Sequence, residues 1–385
     1  MYERKLEERI HERINSGKAI VVLGPRQTGK TTLLEKVAAH YGEYLLLDCD
    51  DMTVRENLER ADTEGLRQII GKYKTIFVDE AQRVKNIGVA LKIIVDKIKG
   101  VRLLVSGSSS LELSSDLNEP LTGRKWEYWL LPIGWNEFSE REGFLAARQQ
   151  LERRLVYGMY PEVLNSPGDE RMVLKELANS YLYKDLLSMG SVRKPTLLPK
   201  LLKALALQLG GEVSFNELSN LLQVSKDTVS HYVNLLEQAF VIYRMEPFNR
   251  SLRVEISTNR KIYFYDNGIR NALIPNYNLL SQRQDVGALW ENFLMTERKK
   301  FLVHQAKEVN GYFWRTRQQQ EVDYVEEREG ELFGYEFKWS PQAKIKFSKT
   351  FTREYSPKLF GVRSDNFEQF VCELDQAGAW ELSAP

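Results

Sequence analysis

The first stretch able to do chemistry runs from Ala19 to Leu34, Ala-Ile-Val-Val-Leu-Gly-Pro-Arg-Gln-Thr-Gly-Lys-Thr-Thr-Leu-Leu. Gly24, Gly29, Lys30 and Thr31 fit the pattern G-x-x-x-x-G-K-[ST], a loop that wraps phosphate groups between a strand and a helix. The glycines let consecutive backbone N–H groups and the positive end of the helix converge on an anion. Lys30 would reach the β- and γ-phosphates of a nucleotide, and the Thr31 hydroxyl is a natural magnesium ligand. The cradle is then Gly24, Pro25, Arg26, Gln27, Thr28, Gly29, Lys30, Thr31 and Thr32, and the expected cofactors are ATP and Mg²⁺. A chance glycine-rich turn is the plain alternative. Its flanks oppose it: Ala19 to Leu23 is a short apolar run, and Leu33, Leu34, Val37 and Ala38 recur at helical spacing.

A second chemical stretch follows some fifty residues on. Thr75-Ile76-Phe77-Val78-Asp79-Glu80 reads as a strand ending in two acids, the form of a Walker B element. Asp79 would hold magnesium through water, and Glu80 would orient and polarise the attacking water. In isolation such acids equally well cap the next helix. Val101 to Val105 is another strand, closing in Ser106-Gly107-Ser108-Ser109-Ser110. A polar residue there can lie between Asp79 and the γ-phosphate and sense hydrolysis. Ser106 is the candidate and Ser108 the reserve, against the alternative of a solvated turn.

The elements that must position these residues follow from length and patterning. The 385 residues are 43% hydrophobic and 28% charged, an ordinary composition for two or three globular domains. A net charge of +1 neither demands nor excludes a nucleic-acid partner. Cys49 and Cys372 make neither a disulfide framework nor a metal pattern. No apolar run approaches membrane-spanning length and the opening residues are charged, so no membrane association and a cytoplasmic location are expected. Leu6, Ile10 and Ile14 share a face of an opening helix, and Tyr44 to Asp48 is a second strand. The chain divides into an ATPase core (1–150), a helical lid (151–194), a middle segment (195–275) and a C-terminal domain (276–385).

Taken in order, Gly24 to Leu33, Asp79-Glu80-Ala81-Gln82, Ser106-Gly107-Ser108, Leu121-Thr122-Gly123-Arg124, Leu131 to Phe138 and Tyr160-Pro161-Glu162 resemble one family. It comprises the AAA-type ATPases of archaea and bacteria that carry an additional C-terminal region. The resemblance covers nearly the whole chain. It implies ATP hydrolysis at subunit interfaces, hence a homo-oligomer such as a hexameric ring, with an arginine from the neighbouring subunit at the γ-phosphate. Arg124 is the candidate; a structural arginine fixing its loop is the equal alternative. Met159 departs from the pattern, where a second glycine is expected beside Gly158.

In the middle segment, Leu198 to Leu209, Phe215 to Leu222 and Lys226 to Gln238 read as helices. Phe240 to Arg244 and Lys261 to Tyr265 read as the strands of a wing. This is a winged helix-turn-helix pattern. Val229, Val233, Leu236 and Phe240 line the apolar face, leaving Asp227, Thr228, Ser230, His231 and Asn234 on the other. The candidate DNA contacts are Lys226, Thr228, Ser230, His231, Arg250 and Arg253, with Arg260 and Lys261 also placed in the wing to meet phosphates. Asp227 and Glu237 fit DNA poorly, and a protein partner is the alternative.

The C-terminal segment has a helix from Gly287 and strands at Gly311–Thr316, Glu321–Val325 and Leu332–Lys338. Period-two alternation puts Glu336 and Lys338 on one face, where Asp323 from the neighbouring strand can join them. The set resembles the PD-(D/E)xK nuclease core, with Glu291 as an added acid. A carboxylate cluster beside a lysine can hold magnesium and activate water against a phosphodiester. An active nuclease and a nuclease-like fold kept for binding both remain open. Lys344, Lys346, Lys349, Arg353 and Lys358 would track a phosphate backbone or form a solvated basic face. The expected architecture is thus α/β throughout: a parallel P-loop sheet with a helical lid, a winged helix, and a restriction-endonuclease-like domain. The expected function is an ATPase acting on DNA in recombination, repair, branch processing or defence. The alternative is a signalling or scaffold ATPase that binds protein partners.

Overall fold

Mostly apolar runs become the strands β1 (Ala19–Leu23), β2 (Leu45–Asp48), β3 (Thr75–Asp79) and β4 (Arg102–Gly107), which with the charged β5 (Lys125–Trp129) form one sheet. In the computed structural model, which describes residues 2–60, 62–107, 120–182, 196–248, 260–373 and 381–382, the order is β2–β3–β4–β1–β5 and every pairing is parallel. β1 and β3 are buried along their whole length, as a parallel sheet covered on both faces requires. Ile20 and Val22 pack with the helices Leu6–Arg13 and Lys30–His40 through Ile10, Leu34 and Val37. Val21 and Leu23 point the other way, toward Leu91 and Ile94 of the helix Ile87–Lys97. The carboxyl ends of all five strands therefore share one edge, and the loop after β1 lies there.

Short helices follow at Leu151–Tyr157, Pro161–Asn165 and Glu170–Glu176. Beyond them come the helix Leu197–Leu207, β6 (Glu212–Val213), the helices Phe215–Leu222 and Lys226–Gln238, β7 (Ile242–Met245) and β8 (Arg260–Phe264). β6, β8 and β7 form a small antiparallel sheet in that order. Ser225 starts the second of the paired helices by accepting the Thr228 N–H at 3.1 Å, a regular N-cap. Gln223, in the left-handed region at φ 54°, ends the first. The helix Asn267–Leu273 then folds back on the lid: Asn267 Nδ2 donates to the Leu155 carbonyl at 3.1 Å and Asn271 Nδ2 to that of Val156 at 2.7 Å. Lid and middle segment thus share a core.

The same contact explains Met159. Gly158 has φ +74°, and a Cβ on it would fall 2.0 Å from Asp266 Oδ1. Met159 is buried, and its N–H donates to Asp266 Oδ2 at 2.7 Å. The turn needs its glycine at 158, and 159 accepts a side chain.

The C-terminal sheet contains β9 (Asn310–Arg315), β10 (Glu321–Arg328), β11 (Glu331–Phe337), β12 (Lys358–Val362) and β13 (Glu381–Leu382), ordered β13–β12–β11–β10–β9. Only the β11–β12 pairing among these is parallel. The 20-residue helix Val286–Gln305 is the spine that joins the parts. Its Arg298 makes a buried two-point pair with Glu326 of β10 at 2.7 and 2.9 Å. Its Thr296 donates to the Phe264 carbonyl of β8 at 2.9 Å, and its Lys300 to the Ile133 carbonyl at 3.0 Å. Among the described residues no helix is long and apolar enough to cross a membrane.

Candidate functional site

The loop after β1 has the conformation its glycines were expected to provide. Gly29 sits at φ +89° as the N-cap of the helix Lys30–His40. Gly24 lies so close to β5 that a Cβ would be 2.2 Å from the Leu130 carbonyl oxygen. The buried Lys30 turns its ammonium back over the loop, donating to the carbonyls of Gly24 at 2.9 Å and Pro25 at 2.7 Å. Thr28 Oγ1 donates to the Pro25 carbonyl at 2.9 Å, which fixes the loop's width.

The adjacent strands β3 and β4 and the start of the helix Lys30–His40 deliver the rest. Thr31 Oγ1 donates to Asp79 Oδ2 at 3.0 Å, and the Ser106 hydroxyl donates to Asp79 Oδ1. Ser106 Oγ in turn accepts the Glu80 N–H at 3.0 Å. Burial holds the Asp79 carboxyl above its ordinary range despite the hydrogen bonds from Ser106 and Thr31. A desolvated carboxylate facing a threonine hydroxyl is a donor set that fits a divalent cation, and the phosphate cradle beside it fits the nucleotide. Glu80 leaves the strand in a left-handed conformation, φ 50° and ψ 43°, and its carboxylate accepts a hydrogen bond from Gln82. Sequence reasoning gave Gln82 no role.

It also passed over Arg4. This buried arginine donates to the Thr28 carbonyl at 2.7 Å, the Leu131 carbonyl at 2.7 Å and Glu137 Oε1 at 3.1 Å, bracing the phosphate loop from behind. Beside the loop, a cleft of about 200 Å³ is lined by Tyr2, Arg4, Thr32, Leu33, Pro161 and Asn165 among others. It is the space next to the phosphate loop, bordered on one side by the helix Pro161–Asn165.

Arg124 lies elsewhere. β5 runs parallel to β1 with Lys125 opposite Ala19, so Arg124 sits at the amino edge of the sheet, about five strand residues or ~16 Å from the loop of its own chain. Its Nε pairs with Asp96 Oδ1 at 2.7 Å. Ser108, Arg250 and Arg253 lie outside the described residues.

On the helix Lys226–Gln238, Val229, Tyr232, Val233, Leu235 and Leu236 are buried, and Lys226, His231 and Asn234 are exposed. Ser230 is half-buried, and the Thr228 hydroxyl lies 2.8 Å from the capping Ser225 Oγ. Glu237 is turned inward, accepting the Arg244 N–H at 2.7 Å and pairing with the Arg244 guanidinium. Two wing expectations need correction. Arg260 pairs with Glu246 at 2.6 Å, and Lys261 is buried rather than offered to phosphates.

Lys261 enters the acid cluster of the C-terminal domain. The structure brings Glu291, Asp323, Glu336 and Lys338 together and adds Lys261 and Glu321. Lys261 Nζ lies 2.9 Å from Glu291 Oε1 and 2.6 Å from Glu321 Oε1. Lys338 Nζ lies 3.3 Å from Glu336 and 4.0 Å from Asp323. Glu291 also accepts the Tyr263 hydroxyl at 2.6 Å, and Asp323 accepts the Phe337 N–H at 2.7 Å. Burial, then the neighbouring Asp323, pushes the Glu336 carboxyl up to about 8. These oxygens are already committed to ammonium, hydroxyl and amide donors. Among the described residues no group of three or more His, Cys, Asp or Glu side chains is arranged to hold a metal ion. As arranged, the cluster does not fit magnesium.

Residues 16–139 match a family described as an AAA domain. Residues 148–280 and 286–373 match two domains of unknown function, DUF8612 and DUF4143. The chain is 25% identical over 340 residues to an uncharacterized protein of Mycobacterium tuberculosis, covering 87% of this chain and 73% of that one. It is 24% identical over 330 residues to an uncharacterized protein of Methanocaldococcus jannaschii, covering 79% and 71%. Among solved structures, a Walker-type ATPase of Pyrococcus abyssi shares the fold at 15% identity and a TM-score of 0.53, over 71% of this chain and 96% of that chain.

Proposed function

Since residues 16–139 are an AAA-type P-loop ATPase domain, we propose that the chain binds ATP with magnesium at Gly24 to Thr32 and hydrolyses it in a cycle that works on DNA. The carrying observation is the hydrogen-bonded chain from Thr31 through Asp79 and Ser106 to the Glu80 backbone, at the mouth of the phosphate loop. Magnesium, held by Thr31 and Asp79, would supply charge neutralisation for the phosphates. The protein does the rest. Lys30, now on two loop carbonyls, is placed to exchange them for phosphate oxygens, and Thr31 and Asp79 hold the metal's side of the site. Glu80 orients water, its carboxylate steadied by Gln82, while Ser106 ties the position of Glu80 to Asp79. Arg124, remote from the loop of its own chain, would act on a neighbour's site in a homo-oligomer.

For DNA we assign the winged-helix reading to the middle segment, whose order of helix, short strand, two helices and an antiparallel strand pair supports it. The exposed Lys226, His231 and Asn234 then face the duplex. The inward pairing of Glu237 with Arg244 removes one of the two charges that opposed this reading. The C-terminal domain is nuclease-like in this account and does not cut, because lysines neutralise its acids. The test is ATP turnover without nucleic acid and with single-stranded, duplex and branched DNA, with the DNA then run on a gel. Stimulation by one form, binding that weakens steeply with salt, and uncut DNA are expected. No stimulation and no binding would replace DNA with a protein partner, and cutting abolished by Asp323→Ala would restore the nuclease.

A further inference from the structure

A second cavity lies away from the phosphate loop, where β5, the middle segment, the spine helix and the C-terminal sheet meet. It measures about 540 Å³ and is bordered by Trp129 at the end of β5, Tyr243 of β7, Lys299 of the spine helix, Lys307, Tyr312 of β9 and Tyr324 of β10. That volume lies within the roughly 300–1,000 Å³ range of small-molecule sites.

Its charges are unevenly satisfied. Arg244 is paired with Glu237 and Glu246 with Arg260, and Glu237 also acts on Lys299 from a distance. Lys299 has no ion pair or hydrogen bond among the described residues. Its ammonium faces the rings of Tyr243 at 5.0 Å, Trp129 at 5.8 Å and Tyr265 at 6.0 Å. Burial draws its pKa below the ordinary lysine value. Contact with ring faces is favourable for the cation, but the rings are not conventional acceptors for its three N–H donors, and the half-buried ammonium is open to an anionic partner. Lys307 adds a second ammonium at the rim against the single carboxylate of Glu308.

We propose that this cavity is a second ligand site, which takes a phosphate monoester carrying a planar ring, in the class of a nucleoside 5′-monophosphate. The phosphate sits against Lys299 and Lys307, and the ring lies against the half-buried Trp129 and Tyr312, aromatic side chains that stack on any base regardless of its hydrogen-bonding edge. The site is distinct from the triphosphate cradle, and it has a short route to it. Trp129 is followed by Leu130, whose N–H donates to the Leu23 carbonyl at 2.8 Å and whose own carbonyl fills the space that a side chain at Gly24 would need. A ligand that moves Trp129 shifts the phosphate loop's wall, so the site acts as an effector site for ATP turnover. That last step rests on the ATPase reading; binding itself does not.

The test is calorimetric titration of the full chain carrying Lys30→Ala, which disables the phosphate loop, with AMP, GMP, adenosine and inorganic phosphate. Saturable binding of the monophosphates is expected, at least about tenfold tighter than adenosine or phosphate, in line with one charge-assisted contact plus one stacked ring. Adding Lys299→Met, which keeps the packed stem, should weaken binding about tenfold or more, and Lys299→Arg should restore it. Thermal melting of each variant separates lost binding from lost folding. No binding in the Lys30→Ala chain, or equal affinity in folded Lys299→Met, overturns the site. Phosphate binding as tightly as AMP overturns the ring's part in it. If binding holds but wild-type ATP turnover ignores AMP, the site stands and its coupling to the loop falls.

Discussion

Two regions of this chain set a lysine among acids at the end of a β-sheet, and they are built to opposite ends. At the ATPase sheet, Lys30 donates to the carbonyls of Gly24 and Pro25, which an incoming phosphate can replace. Asp79 meets two hydroxyls, neither of which neutralises it. At the C-terminal sheet, Lys261 and Lys338 are bonded to the carboxylates themselves, and a tyrosine hydroxyl and a backbone N–H take further oxygens. The first site has charge left to offer a ligand. The second has spent its charge on holding the spine helix, β8, β10 and β11 together. The same residue types give a binding site or a clasp according to whether the cation faces carbonyls or carboxylates.

The sharpest way to break this contrast is to open the clasp. Lys261→Met leaves Glu291 and Glu321 buried or half-buried without their cation, and losing one partner of a buried pair costs about 3–5 kcal/mol. Chemical denaturation should show that loss, and adding Glu291→Gln should recover most of it. A Lys261→Met chain as stable as wild type would show that the cluster is no clasp.

Next in size is Ser106→Ala. It removes the link between Asp79 and the Glu80 backbone without touching the phosphate cradle. One hydrogen bond to a charged group is worth about 1.5–3 kcal/mol, so ATP turnover should fall about tenfold or more with ATP affinity nearly unchanged. An affinity loss of the same size would instead make Ser106 part of the binding surface.

A third effect appears as a dependence of stability on pH. Glu336 is raised from its ordinary 4.5 to about 8, so between those values the folded chain holds a proton that the unfolded chain has released. Stability contributed by this group is full below about 4.5 and is lost as pH rises toward 8. Glu336→Gln should flatten that decline in melting temperature across pH 5–8. An unchanged slope would place the titration elsewhere.

Much of the open site could be read from the sequence, because its residues are local: the loop, Thr31, and acids at the end of an apolar strand. The clasp was half visible. Period-two alternation joined Glu336 to Lys338, but Lys261 comes from a strand of another segment and reads as an ordinary wing cation. Arg4 was hidden for the same reason, since its partners Thr28, Leu131 and Glu137 are distant in the chain. Of the strands, β1, β3 and β4 announced themselves as apolar runs. β5, Lys-Trp-Glu-Tyr-Trp, carries charges because it forms one edge of its sheet, and β6 is only two residues long. Both take their structure from pairing rather than composition.

The central claim is that the open site turns over ATP with Glu80 as the residue that polarises water. The most direct measurement compares ATP binding and ATP turnover in the wild-type chain and in Glu80→Gln. Binding retained with turnover abolished is the predicted result. Turnover that persists in Glu80→Gln would contradict it and would leave the nucleotide as a structural ligand.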